Sequence, residues 1–256
     1  NGHGSNETLD SVIFANPLLA GKTEVTWNEW NAVRSQAARF GYNDLPPGRN
    51  GYNGDGSGTH PVTEVSWWDV IKWCNLRSES EGLMPVYHTI TTPDASHVLR
   101  NGTPPVFANW NSAGYRIPTE SEWEYLCRAG TNTAFFNGPR MVYGIGDADA
   151  TLDQSGWYAY TSGGNTQPVG TNPANPWGIH DVHGNVWEWC WDLYADDYPS
   201  GPVTDPHGAT TGGDRVLRGG SFHMTSYWCR SAQRGWHTPT QRQWYLGFRI
   251  VRSLPQ

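Results

Sequence analysis

The chain has 256 residues and a formal net charge of −7, which suits one large domain with a real core and argues against a general nucleic-acid partner. Mean hydropathy is −0.63 and no apolar run is long enough to span a bilayer. Fifteen Trp and twelve Tyr supply much of the apolar mass beside 30 Gly and 18 Pro, so short helices and strands joined by many loops are expected around large rings. The chain opens on Asn1 rather than Met, which reads as a trimmed terminus.

From the N-terminus, strands are predicted at 11–15 and 23–26. Trp27, Trp30, Val33, Ala37 and Phe40 fall near helical spacing and predict a helix over 27–40. Residues 48–59 (GRNGYNGDGSGT) read as a Gly-rich surface loop. A second helix starts at Ser66. Ser66 and Asp69 are spaced as a capping box, Val70, Ile71 and Cys74 form an inner stripe, and Gly82 and Pro85 stop it. Residues 88–109 read as an irregular insertion. A third helix starts at Thr119, whose hydroxyl and the Glu122 carboxylate can each take a free backbone N–H, and it ends at Gly130. Further strands are predicted at 185–191, 215–219 and 246–252. No repeat or linker is visible, so a single domain is expected.

Four cysteines, Cys74, Cys127, Cys190 and Cys229, lie outside any CxxC pattern, which argues against a zinc ribbon. Their spacing does not choose among the possible pairings. Residues 215–252 hold seven Arg and no acid. These either pair with acids elsewhere in the fold or form an anion-attracting face; pairing is the preferred reading. No nucleophile elbow, HExxH or P-loop occurs. Asp147, Asp149 and Asp153 are too close together and too isolated to suggest a carboxylate dyad. The short His180/His183 spacing reads as turn residues rather than zinc ligands. Asn6 and Asn101 begin glycosylation sequons, which matter only in a eukaryotic source.

Five strings occur in order: Pro61-Val-Thr-Glu-Val-Ser-Trp67, Gly114-Tyr-Arg-Ile-Pro-Thr-Glu-Ser-Glu-Trp-Glu-Tyr125, Gly184-Asn-Val-Trp-Glu-Trp189, Arg218-Gly-Gly-Ser221 and Gly247-Phe-Arg249. Together they resemble the formylglycine-generating-enzyme (sulfatase-modifying factor) family. The resemblance implies an α+β, C-type-lectin-like domain over residues 10–252, loop-rich, with few short helices and strands. The family's oxidases hold copper on two cysteines soon after Gly-Gly-Ser, because soft thiolates suit Cu(I). Here Gly219–Cys229 contains only Cys229, whose Cys-Arg-Ser-Ala context resembles a structural cysteine of the family. By the same resemblance Cys127–Cys229 is the candidate disulfide or close thiol pair, Cys74 is free and buried, and no copper is expected. His223 and Met224, adjacent on extended chain, point to opposite faces and would chelate poorly. The ergothioneine branch needs an iron-binding helical bundle for which this length has no room.

The C-terminal spacing is most similar to the variable proteins of diversity-generating retroelements. Arg218-Gly-Gly-Ser221 is followed by 222–228, Cys229-Arg-Ser-Ala232, Gln233, Arg234, 235–238, Pro239, 240–245 and Gly247-Phe-Arg249. The resemblance makes 215–252 the variable ligand-binding region. Its candidate contact residues are Phe222, His223, Met224, Thr225, Tyr227, Trp228, Gln233, Trp236, His237, Thr238, Gln241, Gln243, Trp244 and Tyr245, framed from beneath by Trp187 and Ser221. Rigid aromatics mixed with small and amide side chains suit a binding surface; the competing view buries the Trp residues in the core. The function implied is a non-catalytic receptor displaying a diversified surface to a protein or cell-surface ligand, on a bacterium, archaeon or virus. The alternative is a formylglycine-type copper oxidase or another redox member with an altered pocket.

The string from Gly178 to Trp189 supports a calcium expectation. Calcium takes six to eight hard oxygens, and Asp181 and Glu188 flank a Gly-containing turn. The family holds calcium through the positions of Asp181, Gly184, Val186 and Glu188. The competing reading pairs Glu188 with an Arg of the C-terminal segment. The family's other calcium site, near 147–165, has no convincing match.

Overall fold

A computed structural model describes residues 12–142, 148–196 and 202–254, so Asn6, Asp147 and the start of the strand predicted at 11–15 lie outside the described residues. The elements in chain order are β1 (Val12–Ile13), β2 (Leu18–Ala20), α1 (Trp27–Arg34), α2 (Ala37–Phe40), β3 (Arg49–Asn50), β4 (Val62–Thr63), α3 (Trp67–Ser80), β5 (Tyr87–His88), β6 (Phe107–Ala108), α4 (Glu120–Arg128), β7 (Trp187–Leu193), β8 (Val203–Thr204), β9 (Arg215–Arg218), β10 (Arg234–His237), β11 (Leu246–Gly247) and β12 (Val251–Ser253).

The three longer helices start where a hydroxyl and an acid three residues on satisfy each other's backbone. Ser66 with Asp69 opens α3 and Thr119 with Glu122 opens α4, both as predicted; Thr26 with Glu29 opens α1 by the same box. The helix predicted over 27–40 is broken. The Ser35 hydroxyl turns back to the Ala32 carbonyl at 2.7 Å, and α2 is a single further turn ended by Gly41 at φ +81°. The segment predicted as a strand at 23–26 forms no ladder. Val25 instead donates to the Phe248 carbonyl and accepts from the Val62 N–H, bridging two segments.

The central sheet has the order β10-β9-β7-β11. β9 is antiparallel to both β10 and β7, and β11 lies parallel to β7. The strand predicted over 246–252 is two: β11 joins this sheet, while β12 leaves it to pair with β2. The predicted insertion at 88–109 includes the antiparallel pair β5–β6.

The main core is a stack of rings. Trp30 of α1 lies 5.8 Å from Trp73 of α3 at 3°, and Phe248 meets both edge-on. Four buried indole N–H groups donate to carbonyls: Trp30 to Pro46, Trp73 to Trp30, Trp67 to Cys190 and Trp189 to Val65. That pairing lets these four indoles fill a core with their donors met. A second cluster joins Trp123 and Cys127 of α4 to Val182 and Val216, bringing α4 beside the sheet.

Candidate functional site

The arginines of 215–252 hold the C-terminal segment on this framework. Arg234 grips Glu120 of α4 through two bonds of 2.6 and 2.9 Å. Arg218, fully buried, donates to the Ala232 and Gln233 carbonyls at 2.8 Å and pairs with Glu124. Arg242 holds Asp69 at the start of α3 at 2.7 Å, and Arg249 holds Glu188. Arg215 lies over the Trp67 ring at 3.7 Å. The pairing reading of the arginine run holds for Arg218, Arg234, Arg242 and Arg249, while Arg215 and Arg252 bond backbone carbonyls and lie over rings.

Between β9 and β10 the chain turns back through Gly219 and Gly220, at φ +96° and +74°. A Cβ on Gly220 would sit 2.6 Å from the Cys229 sulfur, so this turn admits no side chain. The following loop and β10 then present side chains around an open cleft of about 520 Å³. Trp187 and Leu217 form its buried floor; Met224, Trp228, Trp236, His237, Thr238 and Tyr245 surround it. Trp228 is 38% exposed and Trp236 52%. The cleft gathers six of the predicted contact residues.

An aromatic cluster continues from Tyr245. The His223 ring lies tilted at 5.0 Å from Tyr245 and 4.5 Å from Trp244, and its Nδ1 lies 3.1 Å from the Ser221 hydroxyl. Burial pushes the His223 pKa down. Met224, besides lining the cleft, packs against the Phe135 cluster. Gln241 and Gln243 bond to each other at 3.1 Å. Tyr227 lies under the Arg230 guanidinium at 4.2 Å, and Thr225 precedes the 3-10 turn Ser226–Cys229.

Two of the predicted contact residues belong to the framework. Phe222 is 1% exposed because it is sandwiched by Tyr52 and Trp244 at 5.5 and 5.3 Å. Gln233 is 7% exposed, its amide used by the Arg230 side chain and the Arg234 carbonyl. Sequence reasoning missed Tyr52, carried in by the Gly-rich loop, and Asp214, which lines the cleft. Neither stands in a motif that signals it.

Beneath this surface, Glu188 gives both oxygens to Arg249 at 2.6 Å and also accepts from Trp123 Nε1 at 2.7 Å. Asp181 accepts the Gly170 N–H at 2.6 Å through Oδ2, while its buried Oδ1 has no partner. Glu24, also buried, receives Asn185 Nδ2 at 2.7 Å and the Val186 N–H at 3.2 Å. Burial raises the pKa of Asp181 to about 6. Burial first, then the charges of Asp181 and Glu188, raise that of Glu24. Among the described residues, no three His, Cys, Asp or Glu side chains converge on one point.

All four cysteines are free and buried, so of the two expectations for Cys127 and Cys229, disulfide or close thiol pair, the structure carries them as thiols. His183 stands beside both, bonding the Cys229 carbonyl at 2.8 Å and lying 3.9 Å from the Cys127 sulfur. Burial pushes both thiols up to about 12. His180 bonds the Asn172 carbonyl at 2.8 Å through Nδ1. A second cleft, about 600 Å³, lies between residues 14–18, α4 and His207 and contains none of the predicted residues.

A loop-rich α+β scaffold that fixes an aromatic C-terminal segment on a short sheet defines a C-type-lectin-like domain of the formylglycine-generating-enzyme type. The chain belongs to the family described as "Sulfatase-modifying factor enzyme 1-like domain", whose pattern matches residues 4–254. It is 33% identical over 204 residues to the formylglycine-generating enzyme of Mus musculus, covering 74% of this chain and 52% of the mouse protein. It is 35% identical to "Chaperone protein LppX" of Paenibacillus barcinonensis, covering 73% of this chain and 66% of that one. The chain thus spans between half and two thirds of these relatives. Treponema denticola variable protein 1 superposes with a TM-score of 0.74 at 31% identity, covering 93% of this chain and 84% of that one. PvdO from Pseudomonas aeruginosa superposes at 0.71 with 25% identity, covering 99% and 87%.

Proposed function

We propose that this protein is a non-catalytic ligand-binding protein of the retroelement-diversified kind, with residues 215–252 as its variable region and a protein or cell-surface ligand as its partner. The observation that carries this reading is the division of labour within one segment. Arg234, Arg242 and Arg249 hold acids of α4, α3 and β7, while Trp228 and Trp236 stand exposed around a cleft. Rigid rings on a fixed backbone give contact area at low entropic cost, and the surrounding side chains are free to change without disturbing the framework. The test is genetic. A reverse transcriptase gene and a near-copy of the 3′ coding end should flank the gene, and natural variants should differ at positions such as Trp228, Trp236 and Thr238 while keeping Gly220 and Arg234. Differences spread evenly over the framework would overturn the reading.

Identity to the mouse formylglycine-generating enzyme favours a second reading, a copper oxidase or altered redox enzyme. Against it stands the segment from Gly219 to Cys229, which offers one thiol where the family's oxidases place two copper-binding cysteines. Turnover of a cysteine-containing peptide on copper titration would reverse the order of the two readings.

Calcium is part of the proposal as a support under the surface. Asp181, with its unpaired buried oxygen, the carbonyls of Gly184 and Val186, and Glu188 would hold it, with Glu188 shared between the cation and Arg249. Calcium should then raise the melting temperature above that in EGTA, and Asp181→Ala should abolish the difference. Equal melting in both buffers leaves Arg249 as the partner of Glu188 and removes calcium.

A further inference from the structure

Within this fold, arginine and aromatic rings are habitual partners. Arg215 lies 3.7 Å over Trp67, Arg230 4.2 Å over Tyr227, Arg234 4.8 Å over Tyr194 and Arg252 5.0 Å over Tyr115. The cleft between β9, β10 and Tyr245 breaks the habit. Its walls carry Trp187, Trp228, Trp236 and Tyr245, yet neither Arg nor Lys is among its lining residues. Each outer ring leans on a neighbour: Trp236 on Tyr194 at 5.6 Å, Trp228 on Tyr227 at 5.6 Å and Tyr245 on Trp244 at 5.1 Å. The rings are therefore braced around an open space. One carboxylate, Asp214, lines the same cleft; it joins none of the salt bridges among the described residues, and it is half-buried.

We infer that this cleft receives an arginine side chain presented by a protein partner, its guanidinium stacked on the indole faces and paired with Asp214. The inference rests on reading the surface as a binding site and adds the chemistry of what it binds. Guanidinium is planar and weakly hydrated, so it stacks on indole at small desolvation cost. Its fork matches a carboxylate through two N–H donors. A net charge of −7 draws a cationic partner and disfavours an anionic one. An aromatic cup alone would accept any flat apolar group; the lone carboxylate selects the charged one.

The experiment uses the whole protein labelled with ¹⁵N and follows the indole N–H resonances of Trp228 and Trp236, assigned by substitution, which register even millimolar binding. The probes are two short peptides alike except that one carries arginine and the other citrulline, its neutral isostere. The arginine peptide should shift both resonances and bind at least tenfold more tightly than the citrulline peptide. Asp214→Asn should remove about tenfold from the arginine affinity and leave citrulline unchanged. Trp236→Ala, at a half-exposed position where folding is not at risk, should weaken both. Equal binding of the two peptides, no shift with either, or an Asp214→Asn variant that still prefers arginine would each overturn the inference. Equal binding that is lost in Trp236→Ala would refute the charge selection while leaving the cleft a binding site. A natural partner indifferent to Trp236→Ala would instead sink the surface reading itself.

Discussion

Nδ1 of His183 donates to the Cys229 carbonyl at 2.8 Å, and Nε2 accepts the Phe136 N–H at 3.1 Å. That fixes a neutral ring, because a proton on Nε2 would face another N–H. Burial accordingly pushes its pKa down to about 3. In the unfolded chain the ring takes a proton near 6.5, so its contribution is complete above that pH and is lost as pH falls. Between pH 6.5 and 5 the loss amounts to about 2 kcal/mol. Asp192 has the opposite sign. Burial first, then the charge of Glu120, raises its carboxyl to about 8, so the folded state keeps a proton that the unfolded chain gives up near 4. Stability from this group falls as pH rises from 4 to 8. Urea unfolding across pH 4 to 8 should show His183→Gln flattening the acid-side loss. Asp192→Asn, which keeps an acceptor for the Glu120 N–H, should flatten the loss on the other side. Parallel profiles for the wild type and both variants would mean that neither group titrates as its surroundings dictate. None of this was legible in the sequence, where His183 is one half of a short pair and Asp192 stands in no motif.

At the level of elements, the helix starts at Ser66 and Thr119 were readable because a cap is a local contract between residues three apart. The strands were harder. β10 runs buried Arg234, half-buried Gly235, exposed Trp236 and half-buried His237. A search for apolar side chains facing inward reads that pattern backwards, since Arg234 is drawn in by Glu120 and Trp236 is left out by the cleft. The turn feeding β10 is the sharper constraint. Gly220→Ala would place a methyl 2.6 Å from the Cys229 sulfur and 2.8 Å from the Trp228 carbonyl, at a positive φ. The left-handed conformation and the crowding should together cost about 2–4 kcal/mol. Gly213→Ala meets nothing within 4 Å and should stay within about 0.5 kcal/mol in the same urea titration. A harmless Gly220→Ala would mean that the segment can shift freely, and a rigid platform for the rings would no longer be tenable.

Over the whole molecule, the ordered motifs gave away the family and fold, because they are the framework itself: Arg116 on Glu122, Arg218 on Glu124, Arg249 on Glu188. The cleft was only partly legible. Tyr52 enters from a Gly-rich loop near the other end of the chain to stack on Phe222 and lean on Trp244, and no local pattern encodes contact over such separation. Framework and surface should therefore separate in energy. Glu188→Gln leaves the fully buried Arg249 without its counter-charge, a loss of about 3–5 kcal/mol. Trp228→Ala with Trp236→Ala removes two exposed rings and should cost at most about 1 kcal/mol of stability, while partner binding collapses. The informative quantity is the ratio of the two effects, read from unfolding and partner-binding titrations on the same preparations. A scaffold built for exchangeable contacts needs the first change to be structural and the second to be almost purely functional. If the double tryptophan variant unfolds as readily as Glu188→Gln, the rings are part of the core, and variation at their positions could not be tolerated by the fold.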